Sequence, residues 1–299
     1  MNSPYANSAV ISANHIARPK QLNEKAIQVQ LATSRARLSK RDVQAESFVQ
    51  GALGDESLTA YSKLFRDKRN PINRVMTEVN KVYTHHVTNT WPTPQKGVRL
   101  LPMQVYDEYR REMRSLMDNV EAMVQKHIPF YDDYVQMDIA ARGTRASVDD
   151  YPSAYEFQSK LKFDLRLIPL PDASHFLFDI DEADMQAFEN GLKDIEQMAR
   201  QETVKSMLLP LQHLVDKLAL PIGTDGSVFR NTALENVIEG IEQAKKLCID
   251  DSPEIHAVIS ALDTEVKKYS LDWLRESPVM REQASKNLSD IASQMSGFM

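Results

Sequence analysis

Residues 103–141 read MQVYDEYRREMRSLMDNVEAMVQKHIPFYDDYVQMDIAA. Within them Tyr106, Tyr109, Met113, Leu116, Val120, Met123, His127, Phe130, Tyr134 and Met137 recur at spacings of three and four. An α-helix turns about 100° per residue, so this spacing draws an apolar seam along one face. Held over more than four heptads, the seam predicts a long helix packed along another long helix. Pro129 removes a backbone donor and predicts a kink near the C-terminal end.

The stretch from Glu182 to about Leu220 offers a partner of similar length. Phe188, Leu192, Ile195, Ala199, Leu208 and Leu211 form its inward face, and Pro210 is expected to kink it. Together they predict an elongated antiparallel hairpin, Met103–Ala141 against Glu182–Leu220. The seam mixes Tyr, Met and His rather than repeating Leu, which favours packing within the chain over a dimer zipper. Between the two helices lies a β signal. Phe163, Leu165 and Leu167 alternate, IPLPDAS turns the chain, and Phe176, Phe178 and Ile180 alternate again. Such a β-hairpin is marginal in water, so it must pack on helices or recruit another strand. Ile27, Val29 and Leu31, alternating with glutamines, supply a candidate.

A helix is expected from about Asp42 to Ala52, and a stronger one from about Leu58 to Thr88. Pro71 inside the second makes it two helices or one kinked helix. The prolines of TWPTPQKGVRLLP force an extended connection before the seam. Three further helices follow, roughly Val228–Leu247, Pro253–Tyr269 and Pro278–Gln294. Ser227, Ser252 and Ser277 stand at their N-cap positions, the last two followed by proline. The fold class expected is therefore mainly α with a small β element: a long kinked antiparallel helical hairpin carrying a β-hairpin, plus a C-terminal helical region. The divisions are a flexible arm (1–22), a basic N-terminal region (23–102), the hairpin region (103–220) and the C-terminal helices (221–299).

Composition agrees. The chain has 299 residues, 42% hydrophobic and 26% charged, as in globular proteins. Nine glycines are few, which favours long helices over a many-stranded sandwich. Cys248 is the single cysteine; it excludes an internal disulfide and a thiolate zinc site, and reads as a small core residue. No apolar run approaches the roughly 18 residues that cross a bilayer, so no membrane partner is expected and the location expected is cytoplasmic. The N-terminus lacks the apolar stretch of a secretory signal.

Candidate chemistry is sparse. His15, His85, His86, His127, His175, His213 and His256 form no metal-ligand spacing. Adjacent helical residues point about 100° apart, so His85 and His86 read as one packed and one exposed side chain. His127, on the seam, reads as a hydrogen-bonded core residue. Acids cluster at Asp149–Asp150 and at Asp179, Asp181, Glu182 and Asp184. Paired acids can hold magnesium, but the second group opens a helix, where the dipole and the free amides already favour carboxylates. No phosphate loop, dinucleotide fingerprint or nucleophile elbow occurs. No enzyme activity and no cofactor are expected.

Charge is distributed unevenly. Residues 1–110 hold 16 Lys or Arg against 9 Asp or Glu, a net +7, and the remainder carries −13 within the total of −6. Such halves attract each other, within or between subunits, or offer a nucleic-acid face. KLFRDKRNPINR concentrates Lys63, Arg66, Lys68, Arg69 and Arg74. Helical spacing would align Arg66, Arg69 and Arg74 along one side, either a solvated face or a stripe that tracks a phosphate backbone. No aromatic interleaving points to base stacking.

RLLP before the seam, DYPSAYEF, IPLPDASHFLFDI, VFRNTALENVIEGIEQAKKLCIDDSPEI and WLRESPVMREQASKNLSDIASQM form a further pattern. Over roughly Ser57–Met299 the chain resembles an uncharacterised phage and mobile-element family, filed as domain of unknown function 3150. The resemblance implies no catalytic residues. It implies a context beside a MoxR-like AAA ATPase or, in some relatives, recombination functions. The function expected is a non-enzymatic phage or mobile-element protein that acts by homo-oligomeric assembly or as the partner of such an ATPase. DNA binding through the basic region in recombination or replication, and a role as a virion structural component, are the alternatives.

Overall fold

The computed structural model describes residues 22–170, 182–222, 224 and 231–299. A single turn, α1 (Leu22–Lys25), leads into β1 (Ala26–Ser34). A two-stranded ribbon follows, β2 (Ser39–Arg41) and β3 (Tyr61–Lys63), with α2 (Val43–Leu53) between its strands. Then come α3 (Pro71–Thr88), β4 (Trp91–Pro92), β5 (Val98–Pro102), α4 (Tyr106–His127), α5 (Tyr131–Arg142), α6 (Ala154–Lys160) and β6 (Lys162–Ile168). The remainder is helical: α7 (Glu182–Ala219), α8 (Asn231–Leu247), α9 (Pro253–Val266), α10 (Leu271–Glu276) and α11 (Pro278–Ser296). The protein is thus mainly α with a small antiparallel sheet.

The sheet runs in the order β4-β5-β1-β6. β1 lies inside it, with Val29 opposite Arg99 on one side and Leu167 on the other. The alternating Phe163–Leu167 strand therefore pairs with the Ile27–Leu31 strand. Its expected hairpin mate, Phe176–Ile180, lies outside the described residues. The proline-rich connection is extended as expected, and supplies β4 and β5.

The helix expected from Leu58 begins instead at Pro71. Asn70 caps it by accepting the Ile72 N–H at 2.9 Å, and proline fits the first turn because its missing N–H has no partner to lose. Residues before it form β3 and a loop. The seam helix breaks where Pro129 stands: α4 ends at His127, a 3₁₀ turn spans Ile128–Phe130, and α5 continues. Tyr109, Met113 and Val120 are buried, but Phe130 and Met137 are exposed, so the seam does not persist to its end.

The pairing of long helices is a correction. α4 packs along α3, whose stripe Ile72, Val75, Val79 and Val82 is fully buried, whereas α7 runs along α8 and α11. Periodicity reports that a face is covered, not what covers it. The nearer neighbour in sequence, α3, presents an equally complete apolar stripe and takes the position. The Glu182–Leu220 helix itself is present and continuous through Pro210.

Two apolar cores result. The first gathers the sheet, α3, α4 and α5, with Leu192 and Ile195 packed on it and Ala199 inside it. The second gathers α7 from Val204 onward with α8, α9, α10 and α11. The C-terminal end of α8 joins them: Trp91 Nε1–H donates to the Leu247 carbonyl at 2.9 Å, and Lys246 pairs with Glu108 at 3.0 Å. Ser277 caps α11 through the Met280 N–H. Ser252 precedes α9 without a side-chain cap; the Asp250 carboxylate accepts the Ser252 N–H at 2.8 Å instead. Residues 225–230, with Ser227, lie outside the described residues. Cys248 is half-buried beside the second core.

Candidate interaction surface

The basic residues do not form a helical stripe. Lys63 ends β3, Arg66, Lys68 and Arg69 lie on the loop that follows, and Arg74 stands in the first turn of α3. What holds them is the loop's interior. Leu64 and Phe65 turn inward and are almost fully buried, and Phe65 adopts a left-handed backbone with φ 51°. Its ring meets Tyr131 and Tyr151 edge-on, at centroid distances of 5.8 and 5.2 Å.

Beneath the loop sits Asp138 of α5. Its buried carboxylate accepts the Phe65 N–H at 2.9 Å, the Arg66 N–H at 3.0 Å and the Tyr151 hydroxyl at 2.6 Å. Arg142, equally buried, pairs with it at 3.7 Å and donates to Ser62 Oγ at 2.8 Å. Asn73 Nδ2–H donates to the Phe65 and Asp67 carbonyls. The backbone that carries Arg66, Lys68 and Arg69 is therefore fixed from below while their side chains face solvent. Arg69 reaches Asp67 at 3.4 Å; the N–H of Arg69, with its guanidinium, holds the Asp67 carboxyl below its usual pKa. Among the described residues, Lys63, Arg66, Lys68 and Arg74 have no carboxylate partner.

On the other side of the ribbon, α2 is inverted. Its one buried side chain is Glu46, which accepts from Arg41 Nε at 2.7 Å. The Arg41 hydrogen bond holds the Glu46 carboxyl below its usual pKa. Gln50 Nε2–H donates to the Leu58 carbonyl at 2.7 Å and the Glu56 carbonyl at 3.0 Å. The polar side of the helix thus faces the protein. Val43, Phe48 and Leu53 are 64%, 77% and 69% exposed, and no residue of α2 enters either core. Tyr61 of β3 is exposed with them, and the Arg37 guanidinium lies 5.1 Å from its ring centre. Inverted helices escape a periodicity reading, because the pattern locates an apolar face without telling which side of it is water. The sequence shows Glu46 among Val43, Phe48 and Leu53 but not which of them is buried.

Comparison of the chain with family models, curated proteins and solved structures finds no match. The reading of this surface rests on its own residues.

The remaining candidates have structural partners. Asp150 is held by Lys40; burial raises its pKa, but Lys40 and the Ser147 N–H bring it below the usual range. Glu182 and Asp184 occupy the first turn of α7, while Asp179 and Asp181 lie outside the described residues. His86 is buried, with Nδ1 2.7 Å from the Tyr109 hydroxyl, and His85 is half-buried against the Tyr109 ring rather than exposed. His127 meets the Tyr134 hydroxyl at 3.2 Å. Among the described residues, no three His, Cys, Asp or Glu side chains gather as a metal site, and no helix is long and apolar enough to cross a membrane.

Proposed function

We propose that this protein works by non-enzymatic assembly, and that the ribbon β2–β3, with α2 at one end and the basic loop at the other, is its docking surface. The observation that carries this reading is the inverted helix. Large apolar side chains held on the solvent side of a helix mark an interaction site, and the same ribbon carries at its other end cations that have no carboxylate partner among the described residues. The chemistry calls for a partner that is apolar at its centre and acidic at its rim. The acidic remainder of a second copy has the required charge, and the family resemblance implies a MoxR-like AAA ATPase as the other candidate. Light scattering of the purified protein, alone and mixed with the MoxR-like ATPase of its own genome, tests the proposal. An oligomer or a complex is expected, lost when Phe48→Glu and Leu53→Glu are combined. A monomer at all concentrations that also ignores the ATPase removes the proposal.

A second reading, DNA binding through the loop, draws support from the unpaired Lys63, Arg66, Lys68 and Arg74 on a fixed backbone. Phosphate contacts release counterions, so affinity must fall steeply with salt. Combined Arg66→Glu, Arg69→Glu and Arg74→Glu substitutions are expected to weaken binding and flatten the slope. Equal binding by both proteins at every salt concentration would assign the loop to protein contact alone.

A further inference from the structure

The last turn of α7 and the N-terminal half of α11 enclose a groove of about 630 Å3, far from α2 in sequence and belonging to the second core. Its volume lies in the range of small-molecule sites, about 300–1,000 Å3. The wall is apolar, built from Val215, Leu218, Leu220, Ile222 and Pro278. Leu220 and Ile222 stay partly exposed, at 37% and 44%, so apolar surface borders the groove on its solvent side.

Arg281 makes this groove unusual. It lines the groove, yet it is 3% exposed and has no carboxylate partner among the described residues. Its Nη2–H donates to the Lys217 carbonyl at 2.7 Å, near the C-terminal end of α7, where a cation is favoured by the helix dipole. Its Nε–H is buried and has no acceptor among the described residues. A buried donor on a charged group loses its hydration without compensation when it has no acceptor, so such groups rarely stay orphaned. Lys286, one helical turn and a residue further along α11, adds a second cation to the wall, and Ser285 and Ser289 add hydroxyls. Glu282 also lines the groove but is exposed and makes no ion pair with Arg281.

We infer that the groove binds a small amphipathic carboxylate, its apolar body against Leu218 and Ile222 and its anionic end drawing the Arg281 guanidinium outward to accept from Nε–H, with Lys286 nearby. Apolar walls supply the larger part of the binding, and the orphaned donor supplies the preference for an acid. A charge-assisted bond to a carboxylate satisfies a group that neither an alcohol nor an amine of the same length satisfies as well.

Decanoate, used below its micellar concentration, is the probe, with decan-1-ol and decyltrimethylammonium as controls. Calorimetry on the full chain is expected to show saturable decanoate binding at least tenfold tighter than either control. Ser285→Phe fills the groove while keeping the arginine, and is expected to weaken decanoate at least tenfold with an unchanged circular dichroism spectrum. Arg281→Lys keeps a charge but removes Nε, and is expected to bring decanoate close to the alcohol. The inference is overturned if wild type shows no saturable binding, if decan-1-ol binds as tightly as decanoate, or if Ser285→Phe binds as wild type does.

Discussion

Asp138 accepts hydrogen bonds from two backbone amides and one hydroxyl, and its carboxylate faces the buried Arg142 guanidinium. Removing it leaves three donors without their acceptor and the buried Arg142 without its counter-charge. Asp138→Ala is therefore expected to cost about 3–5 kcal/mol, read from the urea midpoint. A loss below about 1 kcal/mol would show that the basic loop is not held from below. The same bonds offset the left-handed backbone of Phe65, which a non-glycine residue adopts at a cost of about 1–2 kcal/mol. His86 makes a second test at this scale. Burial above all, then the charges of Arg99 and His85, push its pKa down to about 4 from 6.5. Between those values the unfolded chain binds a proton that the folded chain refuses, so stability is complete above pH 6.5 and falls as pH drops toward 4. At 1.36 kcal/mol per pH unit the loss approaches about 3 kcal/mol. His86→Gln should be less stable than wild type at pH 7 yet show a shallower decline over that window in urea unfolding at stepped pH. Identical slopes would assign the acid sensitivity elsewhere. Most of these contacts cannot be read from the sequence: Asp138 appears there as one polar residue beside the seam, and apart from Arg142, four positions on, its partners lie 13 to 73 positions away.

At the scale of elements, α7 and α8 meet through two residues that each break a helix rule. Pro210 brings no N–H, so the Ser206 carbonyl loses its helical donor. Gly240 packs against that same carbonyl, and a Cβ there would collide with it. Replacing a helical glycine with alanine normally stabilises by about 1 kcal/mol. Gly240→Ala should instead destabilise by about 1–3 kcal/mol, because α8 has to move off α7. Gly191, in the same long helix as Pro210, provides the contrast, because a Cβ there would meet no atom within 4 Å. Gly191→Ala should raise stability by about 0.5–1 kcal/mol in the same thermal or urea measurement. Two gains, or two losses, would overturn the packing account. Helices were the legible elements because caps, prolines and apolar spacing are local: the Ser277–Pro278 start stands in the chain as written, whereas the Asn70–Pro71 start falls inside the longer helix that the spacing predicts. Partners were not legible. The seam of α4 and the stripe of α3 are complementary, but nothing in either pattern favours that pairing over α4 with α7.

At the scale of the whole molecule, the α2 end of the proposed docking surface is attached to the fold without supporting it. α2 contributes to neither core, so Phe48→Glu with Leu53→Glu should leave unfolding unchanged within about 0.5 kcal/mol while abolishing assembly. A double variant that loses both together would mean that α2 is part of the folded core after all. The basic segment was visible in the sequence as a concentration of charge, and its residues do come together. Their support on a loop rather than a helix was not visible, because Phe65 is anchored by a residue 73 positions away.

The first core draws nearly all its buried residues from the chain up to Leu170, adding only Ala199, Leu247 and Ile249 from beyond. A ribosome delivers residues in order, at about 5–20 per second. The sheet and the α3–α4 pair can therefore condense on the order of ten seconds before the last helix of the second core leaves the exit tunnel. During that interval the basic loop is already shaped, whereas the acidic remainder of the same chain is still being made. Under the proposed assembly, a nascent copy meets finished copies with that surface ready and its own counter-charge not yet synthesised, so that association begins on the polysome.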